Sequence, residues 1–191
     1  MSKYILSGQG LKLNCGKTMY RIIADRDFTL EDGTKIKKGE YGGIVAAKDS
    51  LSQDGNCWID YDSVIEDNAK VTGNAILHSS TLHNNAVAKD YSVIEHSELH
   101  DNTIVDNFAH VINCVLGNKG HIHGHALVTN CILNDSAHIS GLAEVEGITA
   151  NGDTHIRGSV VIKCTGKNAI FSDGSIDDRG SVIKRPKPEI D

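Results

Sequence analysis

Three histidines recur at intervals of seventeen residues, and they are the side chains best suited to chemistry in this sequence. They are His121, His138 and His155, and two neighbours, His123 and Arg157, lie two residues beyond His121 and His155. If each interval stacks the histidines about 4.8 Å apart, charged imidazolium groups would repel by about 1–3.5 kcal/mol per pair. The set must therefore be neutral, metal-bound or shared with an anion. Because Arg157 adds positive charge, we predict that these five residues bind an anionic ligand.

The same interval organises the aliphatic residues into three columns. They are Leu77, Ile94, Val111, Val128 and Val145; Leu82, Leu99, Leu116 and Leu133; and Ala88, Val105, Ile122, Ile139 and Ile156. Within one repeat these positions are five, six and six residues apart, which predicts three short strands per coil. The pattern is typical of a solenoid, because each coil buries little alone and stacks on its neighbours. We therefore predict an all-β protein, a triangular parallel β-helix built from 17-residue coils.

The chain divides into three predicted regions, because the interval holds only from about Ile59 to Val160. Residues 1–56 form an N-terminal β cap and lead-in segment, with strands expected in KYIL, LKLN and MYRIIA. Residues 57–183 form the β-helix, whose last coil is expected to be irregular because the spacing slips after Val160. Residues 184–191 contain proline and are expected to form a flexible tail.

The lead-in segment carries motifs that are specific enough to suggest a family. They are Lys38-Gly39, Gly42-Gly43, Leu51-Ser52, Gly55 and Cys57-Trp58, within KKGEYGGIVAAKDSLSQDGNCWIDYDSVI. Together with the repeats and with YRIIADRDF at residues 20–28, they resemble the YdcK-like hexapeptide-repeat proteins, although Ile44 replaces an aromatic residue often found after the glycine pair. The resemblance implies a left-handed β-helix, a parallel homotrimer and an origin in bacteria or phages. That family is commonly labelled a transferase, but the repeat is a scaffold and does not itself supply a function.

Two kinds of enzyme chemistry follow from resemblance to other β-helix proteins. Hexapeptide-repeat acyltransferases are similar in fold and use acetyl-CoA with a histidine base in a cleft between subunits, which an extruded loop often completes. No coil between Ile59 and Val160 contains an inserted loop, so we favour a protein without catalysis and assign no catalytic residue. His78, His83 and His100 are similar in spacing to the zinc ligands of γ-class carbonic anhydrases, but the Arg-x-Asp element of that family is missing, so no metal site is predicted.

Outward apolar residues predict an interface between copies of the chain. They form three columns, which are Ile76, Val93 and Leu127; Val115 and Ile132; and Tyr91, Phe108 and Leu142. A solvated face would not retain such apolar stripes, so we assign all of these residues to a subunit interface of the trimer. The alternative is simple packing of the aromatic residues at the corners of one chain.

Composition narrows the classes of partner. The net charge is −6 and the basic residues form no run before KRPKPEID, so nucleic-acid binding is not predicted. No stretch is long and apolar enough to predict a membrane span. The five cysteines lack metal-ligand spacing, and Cys114 and Cys131 share an inward column where buried thiols are expected. We therefore predict a cytoplasmic protein.

These inferences combine into one predicted function and two alternatives. We predict a homotrimeric β-helix, of a kind that phages often encode, that holds or sequesters a small anionic ligand at a subunit interface. A nucleotide derivative is one such ligand, and no cofactor is expected. The first alternative is an acyltransferase of the hexapeptide-repeat class that uses acetyl-CoA. The second is a structural trimerisation module.

Overall fold

The computed structural model of the protein describes residues 2–12, 16–164 and 169–178, which form strands and the turns and irregular segments between them. Helices are missing from the described part of the chain, so no helix there could cross a membrane. The predicted tail at residues 184–191 lies outside the described residues.

Six short strands precede the coils, in the region predicted as a cap. They are β1 (Tyr4–Leu6), β2 (Leu11–Lys12), β3 (Thr18–Ala24), β4 (Phe28–Thr29), β5 (Lys35–Ile36) and β6 (Tyr41–Val45). β3 pairs antiparallel with β1, β2 and β6, whereas β4 and β5 form a separate hairpin. The hydroxyl of Tyr4 lies 2.5 Å from the carbonyl oxygens of both Lys48 and Leu51, so β1 is tied to the lead-in segment.

The coils consist of short strands on three faces. These strands are β7 (Trp58–Ile59), β8 (Val64–Ile65), β9 (Lys70–Val71), β10 (Ile76–His78), β11 (Thr81–Leu82), β12 (Val87–Ala88), β13 (Val93–Glu95), β14 (Glu98–Leu99), β15 (Ile104–Val105), β16 (His110–Ile112), β17 (Val115–Leu116), β18 (His121–Ile122), β19 (Leu127–Thr129), β20 (Ile132–Leu133), β21 (His138–Ile139), β22 (Glu144–Glu146), β23 (Ile148–Ile156), β24 (Val161–Lys163) and β25 (Ala169–Ile176). The first face contains β8, β11, β14, β17 and β20; the second contains β9, β12, β15, β18 and β21; and the third contains β7, β10, β13, β16, β19, β22 and β24. β23 joins the first two faces because it pairs with both β20 and β21.

Successive coils pair in parallel with an offset of one repeat, so Ile94 lies opposite Val111 and Val111 lies opposite Val128. The stacked coils form a β-solenoid of about 8 turns, and the predicted all-β, parallel β-helix fold is confirmed, consistent with the left-handed form. Every member of the three aliphatic columns is 0% exposed, because these residues fill the narrow interior of the prism.

One corner shows why the repeat favours asparagine and aspartate. Asn84, Asp101, Asn118 and Asp135 share one column, and their φ angles lie between 56° and 58°. These short polar residues tolerate the left-handed region better than other non-glycine residues. Their side chains also bridge coils, since Asn84 Nδ2 donates to Asp101 Oδ1 at 3.0 Å and Asn118 Nδ2 donates to Asp135 Oδ1 at 3.2 Å.

Both ends of the solenoid differ from its central coils. Parallel pairing already begins in the lead-in segment, where Ile44 lies opposite Val64, so stacking starts upstream of residue 57. At the other end β25 pairs with β23 with a register shift, and Ile156 lies opposite Ile176 rather than a residue seventeen positions away.

Ile76 lies opposite Val93 in the outward column, but it is covered rather than exposed, contrary to the prediction. It is 1% exposed and belongs to the buried cluster that contains Phe28 and Trp58. The β4–β5 hairpin covers this end of the third face, where the Phe28 and Trp58 rings meet edge to face with centroids 5.4 Å apart. Asp32 Oδ2, in the hairpin turn, lies 3.8 Å from His78 Nε2. Ile76 is therefore removed from the predicted subunit interface.

The inward register predicts that substitution of two isoleucines on the second face will cost different amounts of stability. Ile122 is fully buried, whereas Ile104 faces outward and is half-buried. Ile122→Ala should lower the free energy of unfolding by about 2–5 kcal/mol because it leaves a cavity, and Ile104→Ala should cost less than about 1 kcal/mol. Urea denaturation of both variants measures these losses. Equal losses of stability in the two variants would contradict the assignment of Ile122 to the inward side and of Ile104 to the outward side.

Asp60 holds the turn that follows β7. Its Oδ1 accepts hydrogen bonds from Ser63 Oγ at 2.6 Å and from the backbone N–H of Ser79 at 3.0 Å. Its Oδ2 lies 3.5 Å from His78 Nδ1. Burial alone would raise the pKa of Asp60, but the contacts with His78, Ser63 and Ser79 outweigh burial and lower this pKa to about 2.

The lowered pKa of Asp60 predicts a specific loss of stability in acid. The unfolded chain takes up this proton near pH 3.8 and the folded chain only near pH 2, so the contribution is full above pH 3.8 and is lost between these values. Asp60→Asn should make Tm less dependent on pH in that window. The exposed Asp62→Asn is the matched control and should leave the dependence unchanged. A wild-type pH profile in Asp60→Asn would contradict this role.

Candidate functional site

The second face carries the predicted histidines in one cluster, the histidine patch (His121, His123, His138 and His155). The parallel ladder places His121 opposite His138 and His138 opposite His155. His123 follows His121 across the buried Ile122, so both imidazoles leave the same side of the strand. All four histidines are half-buried. The register therefore brings together the histidines that the sequence predicted as ligand-binding residues.

Three rings of the histidine patch are in mutual contact. The ring centroids of His121 and His123 are 4.7 Å apart, those of His121 and His138 are 5.2 Å apart, and those of His123 and His138 are 4.8 Å apart. The Nε2 atoms of His123 and His138 are separated by only 2.7 Å. At this distance one ring must donate its Nε2–H to the lone pair of the other, so both Nε2 atoms cannot carry protons together.

Burial, more than the nearness of the other rings, makes His123 and His138 weak bases. Burial lowers the pKa of His138 to about 4, with further lowering by the neighbouring His123, His121 and His155. Burial, followed by the charge of His121, also lowers the pKa of His123. Both rings are therefore neutral near pH 7, and they offer nitrogen lone pairs rather than the imidazolium charge on which the expected anion binding depended.

Asp106 is a member of the site that the sequence reasoning missed. Its Oδ2 lies 3.2 Å from His121 Nε2 and 3.3 Å from Lys89 Nζ, and its Oδ1 accepts a hydrogen bond from Asn107 Nδ2 at 3.1 Å. The residue is only 6% exposed. Asp106 precedes His123 by one repeat, so the column that holds His123 was the signal that could have revealed it.

The last coil places two predicted site residues beside carboxylates. The ring of His155 lies 5.3 Å from that of His138, and its Nε2 lies 3.0 Å from Asp153 Oδ1. Arg157 Nη2 lies 3.6 Å from Asp177 Oδ2. The sequence expectation that Arg157 adds free positive charge is therefore weakened, because an acidic partner compensates its guanidinium.

The histidine patch also has the donor set of a metal site. His121, His123 and His138 each offer a ligand nitrogen, and these atoms all lie within 4.8 Å of one another. Three imidazoles could hold one metal ion together. From the sequence, metal binding is one option for the ladder of His121, His138 and His155, but an anion is preferred because of Arg157. A zinc site is considered for a different set, His78, His83 and His100, and no metal site is predicted.

That other set does not form one cluster on a single face. His78 lies on the third face beside Asp60, whereas His83 and His100 follow strands of the first face. His83 and His100 stack with centroids 5.4 Å apart, but His83 Nε2 lies 2.9 Å from Glu98 Oε1 and His100 Nδ1 lies 2.8 Å from Asp101 Oδ2. Each of these two rings therefore has a carboxylate partner of its own.

An exposed aromatic corner (Tyr91, Phe108, His125 and Leu142) lies between the second and third faces. The Tyr91 and Phe108 rings stack with centroids 4.9 Å apart, and the Phe108 and His125 rings stack at 4.7 Å. Tyr91 is 41% exposed, Phe108 52% and Leu142 62%, so stacking within the chain leaves much apolar surface in solvent. His125 follows His123 by two residues, so the aromatic corner borders the histidine patch.

The remaining predicted interface residues lie on other faces. Val115 and Ile132 are 39% and 40% exposed on the first face. Val93 and Leu127 are half-buried on the third face. The predicted interface residues thus occupy two faces and one corner, of which only the corner adjoins the histidine patch.

Comparison with known proteins leaves the family open. The sequence matches no protein-family model, and no curated protein is significantly similar to it. The resemblance to YdcK-like proteins stays a prediction, and the function must be argued from the site itself.

Proposed function

We propose that the protein is a homotrimeric β-helix that binds a small ligand with an anionic group at the histidine patch, without chemical change to the ligand. The observation that supports this proposal is the cluster of imidazoles on an outward face. All ten histidines are half-buried or exposed, so none of them is needed to fill the core. A solenoid that only had to fold could place any polar residue at these positions.

The position of the aromatic corner supports an assembly in which the ligand lies at a subunit boundary. Phe108 and Leu142 are more than half exposed, and a second copy of the chain would remove this apolar surface from water. Because His125 joins the aromatic corner to the histidine patch, a subunit covering the corner would also border the bound ligand. The three-fold symmetry and the link to YdcK-like proteins come from the sequence resemblance and belong to the proposal.

The anionic character of the ligand sets a requirement on the site. Lys89 and Arg157 each face a carboxylate, and His138 is neutral near pH 7. The side chains alone therefore provide little free positive charge. The imidazoles must gain positive charge by binding a proton or a metal ion. A phosphate or carboxylate group would then complete the charge balance.

The acyltransferase alternative has less support. Between β7 and β24 the strands are joined by at most four residues, so the coils there extrude no loop that could build an acetyl-CoA cleft. We also propose a cytoplasmic location, because the thiols of Cys57, Cys114 and Cys131 are free and a reducing compartment keeps thiols in that state.

The assembly predicts a mass of three chains of 20.6 kDa in solution. Phe108→Asp should yield monomers or aggregates, because it would bury an unpaired charge in the contact. Light scattering after size-exclusion chromatography measures the mass. Tyr41→Asp is the control, since Tyr41 is an aromatic residue of the cap with a similar exposure of 58%. A Phe108→Asp variant that keeps the wild-type mass and Tm would exclude the aromatic corner from the interface.

The proposed binding site predicts which histidines contribute to ligand affinity. Titration calorimetry with inorganic phosphate, a dicarboxylate and a nucleoside diphosphate, each with and without added zinc, should reveal at least one ligand. His138→Ala should lower the affinity for that ligand at least about tenfold, which is the effect of losing one charge-assisted contact. His83→Ala, outside the histidine patch, should bind as wild type does. If wild-type protein binds none of these probes in either condition, the proposed binding function is wrong.

A further inference from the structure

We infer that His121, His123 and His138 form a binding site for one transition-metal ion. This inference deepens the proposed function and rests on it for the ligand: the ion would supply the positive charge that the anionic group of the ligand requires. The metal site itself stands on the geometry of the three imidazoles.

The spacing of the nitrogens suits a small ion. Zinc binds histidine nitrogen at 2.0–2.1 Å, so two imidazole nitrogens on a tetrahedral zinc ion are about 3.3 Å apart. In the histidine patch the Nε2 atoms of His123 and His138 are 2.7 Å apart, and the ligand nitrogens of the three residues lie within 4.8 Å. The 2.7 Å separation is shorter than the required one, and the 4.8 Å limit is longer. Side-chain rotations that change these separations by at most about 1.5 Å would bring the nitrogens to about 3.3 Å.

The backbone holds the three residues in place before any ion binds. The N–H groups of His121 and His123 donate to carbonyl oxygens of the next coil at 2.9 Å and 3.0 Å. His138 lies in that next coil, directly opposite His121 in the ladder. Between His121 and His123, the fully buried Ile122 fixes the strand against the core. Two of the three ligands therefore lie in strands, and the third, His123, directly follows β18 and is paired to the next coil through its backbone N–H.

Asp106 provides the outer partner that metal-bound histidines usually have. Ligating imidazoles commonly donate their second N–H to a carboxylate, which fixes the ring and the tautomer. Asp106 Oδ2 lies 3.2 Å from His121 Nε2, and Asn107 and Lys89 hold the carboxylate. If His121 donates its Nε2–H to Asp106, Nδ1 is the ring nitrogen left to bind an ion.

The donor set selects the class of ion. Imidazole nitrogens suit zinc, copper, nickel and cobalt, whereas magnesium and calcium prefer oxygen ligands. Three protein ligands also leave at least one coordination position open on a tetrahedral ion. A phosphate or carboxylate oxygen of the proposed ligand could occupy that position. The site would then join the histidines and the anionic ligand without any direct ion pair between them.

The second histidine pair gives an internal comparison for the inference. His83 and His100 also stack between adjacent coils, but each has a carboxylate partner, and neither belongs to the cluster of three. Their stacking shows that the repeat can place imidazoles in neighbouring coils without forming a three-nitrogen site. His83→Ala is accordingly a matched control for substitutions in the histidine patch.

The test is zinc titration of the full chain after removal of metal with a chelator. We expect one zinc ion per chain, and a cobalt-loaded sample should show the intense visible absorption of tetrahedral coordination. His121→Ala, His123→Ala and His138→Ala should each weaken zinc binding at least about 100-fold, and Asp106→Asn about 10–100-fold, the range for outer partners. His83→Ala should stay within about twofold of wild type. The same variants with glutamine replace any alanine variant whose circular dichroism spectrum is altered.

The outcomes separate the metal site from the proposed ligand. Zinc affinity that is unchanged in His138→Ala, or lost equally in His83→Ala, would overturn the inference. If the wild-type chain binds zinc as expected but neither phosphate nor a nucleoside diphosphate binds the loaded protein, the metal site stands and the proposed ligand is wrong. If these anions bind equally well to metal-free protein and to protein loaded with zinc, the proposed ligand stands. The inference that the ion supplies the positive charge for the ligand would then be overturned.

Discussion

The parallel pairing of successive coils is the interaction on which the rest of the structure depends. Each strand donates its backbone N–H groups to the next coil, so residues one repeat apart lie opposite one another, as Ile94 and Val111 do. An inward position must therefore accept an apolar or small residue in every coil, as the buried column of Ser63, Ser80, Ser97, Cys114 and Cys131 shows. An outward position recurs in every coil, so one type of side chain can form a column along the face.

The same constraint gives the histidine patch its chemical character. Rings at one ladder position stack about 5 Å apart, and a charge on one ring opposes a charge on the next. Burial is the larger effect, and together with the neighbouring rings it lowers the pKa of His138 to about 4. His138 is thus a neutral nitrogen donor near pH 7. Such a donor suits a metal ion better than an unaided anion.

Much of the fold, and the stacking of the candidate histidines, could be predicted from the sequence because both follow the repeat. The aliphatic columns fix the inward register, and the ladder of His121, His138 and His155 follows from it. What the sequence could not reveal depends on contacts outside the repeat. The burial of Ile76 requires a hairpin from the cap, and the pairing of Arg157 requires an acidic residue of the last described coil. The 2.7 Å contact between His123 and His138 depends on side-chain directions that periodicity does not specify.

The repeat also fixes how the histidine patch relates to the aromatic corner. Only Gly124 separates His123 from His125, and the buried Ile122 and Ala126 flank the three residues in one coil, so the histidine patch and the aromatic corner adjoin. Neither can move without breaking the backbone pairing that holds the coil. A subunit seated on Phe108 would therefore approach the three imidazoles at a fixed distance, with no loop needed to close the gap. A regular solenoid can in this way place a binding site at a subunit boundary by stacking alone.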